Sequence, residues 1–369
     1  MGFETLFTPL TIRGCTIRNR FVMAPMQRHK PDDFIPSPAH AEDYRDRVKG
    51  GVGLIVTQGT TMDHWSTFSP YARLFPAAYD GWRRCTDAVR ESGGQIFLQL
   101  WHEGANREGG YGPSGYTAAG ELRGQAMSRE QIAEIIDLYA YSADVARKLG
   151  FSGVELHGAH GHLIDQFFYP ASNQRTDEYG GDLAGRMRFG LEVIRAVRAA
   201  VGEDFPVGMR ISQWKANLYQ AKPFATPDAL RAFLLPLKEA GIDILHASAR
   251  RFWEPEFEGS DLGYAGWVRR LSGLPTIAVG SVGLDVDMHS SFAGVLAHST
   301  GEEGVNELVR RFDRGDFDMV AVGRAVLIDP EWVNKLRNKR FGDMRESLTT
   351  VEIRGTTVLK NYSLPPKSA

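Results

Sequence analysis

The sequence predicts an α/β fold, a (β/α)8 TIM barrel, on three observations. Eight short apolar runs, bounded by Gly, Pro or polar residues, are spaced along positions 22–324. Amphipathic helical segments lie between them, the alternation that builds a parallel sheet covered by helices. No G-x-G-x-x-G turn follows the first run, although the competing doubly wound sheet would want one there.

The runs are Val22–Pro25, Leu54–Gln58, Gln95–Leu100, Gly153–Gly158, Val207–Ser212, Ile244–Ala249, Pro275–Gly280 and Met319–Arg324. Several are apolar nearly throughout, as strands buried on both faces should be. Ser128 and Gln131 make a capping box, and Ile132, Ile135, Ile136 and Tyr139 begin an apolar face that stops at Gly150. Thr226–Pro227 reads as the start of a helix that Pro236 should kink late. Asp80–Ser92, Leu183–Val201 and Gly304–Arg314 read as further helices. Ahead of the first strand, Pro9–Ile12 and Thr16–Arg20 around Arg13–Gly14 suggest an N-terminal hairpin that plugs the barrel floor. Residues 101–127, after strand three, form a long insertion expected to act as a lid loop on the catalytic rim. The domain reading is a single barrel over 1–340 followed by a C-terminal extension, 341–369.

Composition limits the function classes. With 369 residues, 43% hydrophobic and 24% charged, the chain can bury a substantial core. A formal charge of −2 offers no basic field for nucleic acid or an anionic membrane. No apolar run reaches the roughly 18 residues of a membrane span. The start, MGFETLFTPL, has neither the charged nor the apolar region of a secretory signal. Cys15 and Cys85 are too few for a disulfide framework or an iron–sulfur cluster. The expectation is a reduced, cytoplasmic protein, monomer or homodimer, with a small-molecule partner.

Barrel enzymes carry their working groups at the C-terminal ends of the strands. Here strand one ends Ala24-Pro25-Met26-Gln27-Arg28, strand two reaches Gly59, and strand three carries Gln99 and His102. Strand four ends with His157, His160 and His162, strand five carries Arg210, and strand six His246 and Ser248. Gly280-Ser281 and Gly323-Arg324 close strands seven and eight, where barrels bind phosphate on backbone N–H groups. Tight βα turns are the alternative reading of these glycines. The three histidines suggest metal ligands, donors to an oxyanion, or structural side chains. No carboxylate ends strand eight, which argues against a metal. Arg210 lies in an apolar strand, so it needs an anionic ligand or an internal ion pair. Gln99 on its apolar strand wants a planar hydrogen-bonding partner.

These segments together closely resemble the old yellow enzyme family of FMN-dependent ene-reductases. The resemblance runs from Leu6 to about Val333. It rests on LFTPLTIRGCTIRNRFVMAPM at 6–26, GGVGLIVTQGT at 50–60, QLWHEG at 99–104 and GFSGVELHGAHGHLIDQFF at 150–168. NQRTDEYGGDLAGRMRF at 173–189 and FDMVAVGRAVLIDP at 317–330 complete it. The resemblance implies FMN as cofactor and NAD(P)H as co-substrate. It places Ala24, Pro25, Met26 and Gly59 along the flavin ring, Gln99 at the pyrimidine edge, and Arg210 beside N1 and O2. It gives Gly280, Ser281, Gly323 and Arg324 to the phosphate, and His157 and His160 to the carbonyl oxygen of an enone or enal. The implied cycle is ping-pong, with hydride moving from the nicotinamide to flavin N5 and then to the substrate β-carbon.

The chain departs from the family pattern at three places. His162 stands where the family usually has a tyrosine that donates the α-proton; His162, water, or a loop tyrosine such as Tyr111, Tyr116 or Tyr169 would then serve. Gln27 follows the Pro–Met pair where Thr or Cys is common, which implies an altered flavin potential. Gly185 replaces an asparagine before Arg186, a difference read as structural. A flavin dehydrogenase working oxidatively, a metal-dependent barrel hydrolase, and a flavin-binding protein with decayed activity are the rival functions.

Overall fold

The computed structural model describes residues 2–31, 33–344 and 347–348. The expected extension 341–369 therefore lies, apart from Phe341–Met344 and Ser347–Leu348, outside the described residues. Eight parallel strands form the barrel: β1 (Phe21–Met23), β2 (Leu54–Val56), β3 (Gln95–Trp101), β4 (Gly153–His160), β5 (Val207–Lys215), β6 (Ile244–Ser248), β7 (Thr276–Val279) and β8 (Met319–Val322). Each pairs with the next, β8 pairs with β1, and the sheet closes as expected.

Closure turns each strand's period-2 alternation into inside and outside. Val22, Ala24, Leu54, Val56, Phe97, Ile244, Ile277, Val279, Met319 and Ala321 share one interior cluster. Their neighbours Phe21, Met23, Ile55, Ile96, Leu98, Leu245 and Val320 belong to a second cluster, shared with the helices. The hairpin strands Leu10–Ile12 and Cys15–Ile17 place Ile12, Cys15 and Ile17 in the interior cluster.

The outer ring is α1 (Pro38–Lys49), α2 (Tyr79–Glu91), α3 (Arg129–Lys148), α4 (Leu183–Val201), α5 (Pro227–Ala240), α6 (Tyr264–Ser272), α7 (Gly301–Asp313) and α8 (Trp332–Arg337). The capping box of α3 is present, Ser128 Oγ accepting from Gln131 N. Thr226 caps α5, which continues past Pro236 to Ala240. The α1, α6 and α8 segments lack strong sequence signals: α1 is polar along much of its length, and α6 and α8 are short. After β3, the insertion folds on itself, with Tyr111–Gly112 pairing Gln125–Ala126. At Gly185 an added Cβ would lie 2.0 Å from the Gly180 carbonyl oxygen, so a side chain is excluded there by packing.

Asp243 ties the hairpin to the barrel. Its carboxylate accepts from Arg13 Nε at 2.6 Å, from Val207 N at 2.9 Å, and from Arg198 Nη2. Asp243→Ala strands the largely buried Arg198 and a buried N–H. It is expected to cost roughly 1.5–3 kcal/mol per lost charged hydrogen bond, read as a fall in the urea midpoint at unchanged m-value.

Candidate active site

His157, His160, His162 and the cofactor-binding residues that the sequence singled out all line one cavity of about 250 Å³ at the C-terminal end of the barrel. Ala24, Pro25 and Met26 enter from the end of β1, Gly59 from beyond β2, and Gln99 from β3. His157, His160 and His162 come from β4 and its turn, Arg210 from β5, and Gly280, Ser281, Gly323 and Arg324 from the turns after β7 and β8. Trp101, Trp214, Tyr219, Ser248 and Arg250 line it as well, and the sequence reading assigned none of them a role. The cause for Trp214 is plain: β5 runs to Lys215, three residues past its expected end.

The interior below this cavity is polar by arrangement. Glu155 of β4 receives Gln99 Nε2 at 2.7 Å and lies 2.7 Å from His246 Nδ1. Gln99 lies opposite Glu155 on the neighbouring strand, whereas β4 and β6 are not sheet neighbours, so the His246 contact crosses the barrel interior. Burial pushes the Glu155 carboxyl up, but His246, Arg210 and Gln99 outweigh it and hold it below its ordinary value. Glu155 is a charge in an apolar run, the signal that marked Arg210, and it escaped the sequence reading.

Arg210 donates from Nη2 to Ser248 Oγ at 3.1 Å, while its Nε is buried without a partner. Among the described residues no carboxylate lies within ion-pair distance of it. The internal ion pair is thus replaced by the through-space influence of Glu155. Burial lowers the guanidinium pKa to about 10, with Glu155 opposing, so it remains a cation at neutral pH.

That cation helps keep the histidines neutral. Burial, followed by the neighbouring His162 and Arg210, drives His157 well below its ordinary value. His160 is driven well below by burial and then by Arg210. For His162 burial dominates and the value falls to about 4, although a hydrogen bond to the Glu103 backbone opposes the shift. The His157 ring lies 5.1 Å from that of His160, edge to face, and 4.8 Å from that of His162 in a tilted contact. Among the described residues no group of three or more His, Cys, Asp or Glu is placed to hold a metal ion.

The turn that carries the histidines is built against conformational preference. His160 has φ +63° and Gly161 φ +79°, and a left-handed non-glycine residue costs about 1–3 kcal/mol. Ser212 Oγ accepts from His160 N at 3.0 Å, and Asp165 Oδ2 accepts from Gly161 N at 2.6 Å. Asn106 and Gln166 both donate to Gly161 O, at 2.8 and 2.7 Å. Asp165 is paired with buried Lys215 at 2.8 Å; burial raises its carboxyl pKa and Lys215 opposes the rise.

The cavity fits FMN by its unmet polar atoms. Arg210 Nε, Gln27 Oε1 and Trp101 Nε1, all on residues that line it, are buried without protein partners. Gln27 has already given its Nε2 to Gly59 O at 3.1 Å. Gly59 leaves the ring space open, since a Cβ there would stand 3.2 Å from both Gln99 Oε1 and the Trp101 ring. Arg324 is held at the other end by the carbonyls of Val286 and Asp287 and by Ser291 Oγ. Tyr111, Tyr116 and Tyr169 do not line the cavity, and the Tyr111 hydroxyl accepts from Gln131 Nε2 at 2.7 Å.

Comparison with known proteins agrees with this construction. The model of the NADH:flavin oxidoreductase / NADH oxidase family matches residues 5–293. A probable flavin mononucleotide-dependent alkene reductase from Leishmania infantum is 34% identical over 359 residues, covering 90% of each chain. An NADPH dehydrogenase from Bacillus licheniformis is 31% identical over 350 residues, covering 90% of this chain and 94% of that one. A morphinone reductase solved in complex with tetrahydroNAD superposes with a TM-score of 0.72 at 25% identity, covering 90% of each chain. The chain belongs to the NADH:flavin oxidoreductase / NADH oxidase family, which bears out the resemblance to old yellow enzymes. It is an FMN-dependent NAD(P)H oxidoreductase of that type. Among the described residues no helix is long and apolar enough to cross a membrane.

The ion pair under the turn generates a prediction. Lys215→Met leaves Asp165 buried and uncompensated and should cost about 3–5 kcal/mol by urea denaturation. Adding Asp165→Asn, which keeps an acceptor for Gly161 N–H, should recover most of that loss.

Proposed function

We propose that the chain is an ene-reductase that couples oxidation of NAD(P)H to reduction of the C=C bond of an α,β-unsaturated ketone or aldehyde, the two substrates using the cavity in turn. The observation that carries this reading is a buried cation without an ion-pair partner beside two neutral imidazoles in one cavity. FMN, when bound, would supply the hydride chemistry that links the nicotinamide to the β-carbon. Arg210, Gln99 and the backbone of Ala24, Pro25, Met26 and Gly59 would hold the ring, and Arg210 would favour negative charge on it. Gly280, Ser281, Gly323 and Arg324 would hold the phosphate.

His157 and His160 act on the substrate's carbonyl oxygen. A neutral imidazole N–H polarises a carbonyl and stabilises the charge that develops on it without surrendering its proton. With Nδ1 of His157 sealed in the protein, its Nε2 is the atom left for the substrate. His162 relays the α-proton as a neutral ring, one nitrogen giving its hydrogen to the α-carbon while the other takes one from water, since its pKa near 4 leaves almost no imidazolium at pH 7.

Anaerobic stopped-flow spectroscopy tests the reading. The purified yellow protein should bleach with NADPH or NADH and recover its flavin absorbance with 2-cyclohexenone. A colourless protein, or reduced flavin that ignores every enone and reoxidises only with oxygen, sinks it. His157→Ala should slow the enone step by about 10²–10³-fold while the protein retains its FMN.

The pH dependence separates the forms of the donor. Because the His162 pKa is lowered, the ring is neutral throughout the range above about 4. The enone step should therefore run level from weakly acid to neutral pH. An inflection near the ordinary histidine value of about 6.5 would show instead that an imidazolium donates. His162→Phe should slow this step, and His162→Tyr should not.

A further inference from the structure

We propose that Ser248 is a positioning residue that couples Arg210 to His160 and decides which nitrogen of His160 carries the hydrogen; this rests on the ene-reductase reading for its effect on rate. Ser248 is the last residue of β6 and is almost fully buried. Its hydroxyl oxygen lies 3.1 Å from Arg210 Nη2 and 2.9 Å from His160 Nε2. Its carbonyl accepts from Trp214 Nε1 at 3.1 Å. The Trp214 ring in turn stacks on His160, with centroids 4.0 Å apart and planes at 22°. One residue thus anchors both the edge and the face of the His160 ring.

Hydrogen-bond counting assigns the tautomer. A guanidinium only donates, so the Ser248 oxygen accepts from Arg210. Were His160 Nε2 also a donor, the Ser248 hydroxyl hydrogen would be buried with no acceptor, since no other partner for it exists among the described residues. Every group is satisfied when Ser248 donates to His160 Nε2. Neutral His160 then carries its hydrogen on Nδ1, which makes no hydrogen bond within the protein. Arg210 polarises the serine hydroxyl, and donation into Nε2 makes Nδ1–H a stronger donor to a carbonyl oxygen in the cavity. The charge of Arg210 therefore reaches the substrate side of the site through Ser248.

Nitrogen-15 NMR of the histidine-labelled holoenzyme tests this, with the His160 resonances identified by their absence in His160→Asn. The wild-type spectrum should show hydrogen on Nδ1 of His160; hydrogen on Nε2 overturns the proposal without any variant. Ser248→Ala should lose the fixed tautomer and slow enone-driven flavin reoxidation about tenfold, less than the loss of a whole donor. Ser248→Thr, which keeps the hydroxyl, should restore both. An unchanged tautomer in Ser248→Ala, or a changed one with the enone step within twofold of wild type, also overturns it. If wild type turns over no enone, the ene-reductase reading fails, while the NMR still decides the role of Ser248.

Discussion

Arg210 stands inside a closed barrel with, among the described residues, no carboxylate in ion-pair contact, and much of the site follows from how that charge is tolerated. A buried guanidinium is costly unless its donors are used and some negative charge lies near. Here Ser248 takes one donor and Glu155 supplies the field. Glu155 is itself stabilised by Gln99 and His246, so side chains from four strands share one electrostatic solution. The Nε of Arg210 is buried with no protein partner, and the residue lines a cavity that an electron-rich ring would fill.

The same charge sets the chemistry of its neighbours. Arg210 lowers the pKa of His157, His160, His162 and His246, adding to the dominant effect of burial. Neutral imidazoles pack together without mutual repulsion, and His157 and His160 serve as hydrogen-bond donors rather than as acids. A second device holds them in place. The left-handed turn at His160 and Gly161 survives because Ser212, Asp165, Asn106 and Gln166 all bond its backbone, and Lys215 steadies Asp165. Strain at the site is thus offset by polar contacts drawn from three separate parts of the chain.

The eight strands were legible because each carries a short apolar run bounded by Gly, Pro or polar residues. Leu183–Val201 and the Ser128 cap were legible for the same local reason, since capping and amphipathicity act within a few residues. Helix α1 escaped because its buried face includes His40, Asp43 and Arg47, which bury by pairing rather than by being apolar. The end of β5 escaped because Gln213, Trp214 and Lys215 read as a loop until their partners across the barrel are known.

By itself the sequence determined the barrel, the strand ends that bear chemistry, and through its motifs the family and its cofactor. Those features depend on local pattern and on residue types at fixed offsets. Only the tertiary structure decided that Glu155 lies beneath the site, that the loop tyrosines lie away from it, and that His162 is neutral. It alone joined Ser248 to both Arg210 and His160, which are 38 and 88 residues away along the chain. Protonation state and hydrogen-bond partnership depend on burial and on distances of a few ångströms, and closure of the barrel sets both.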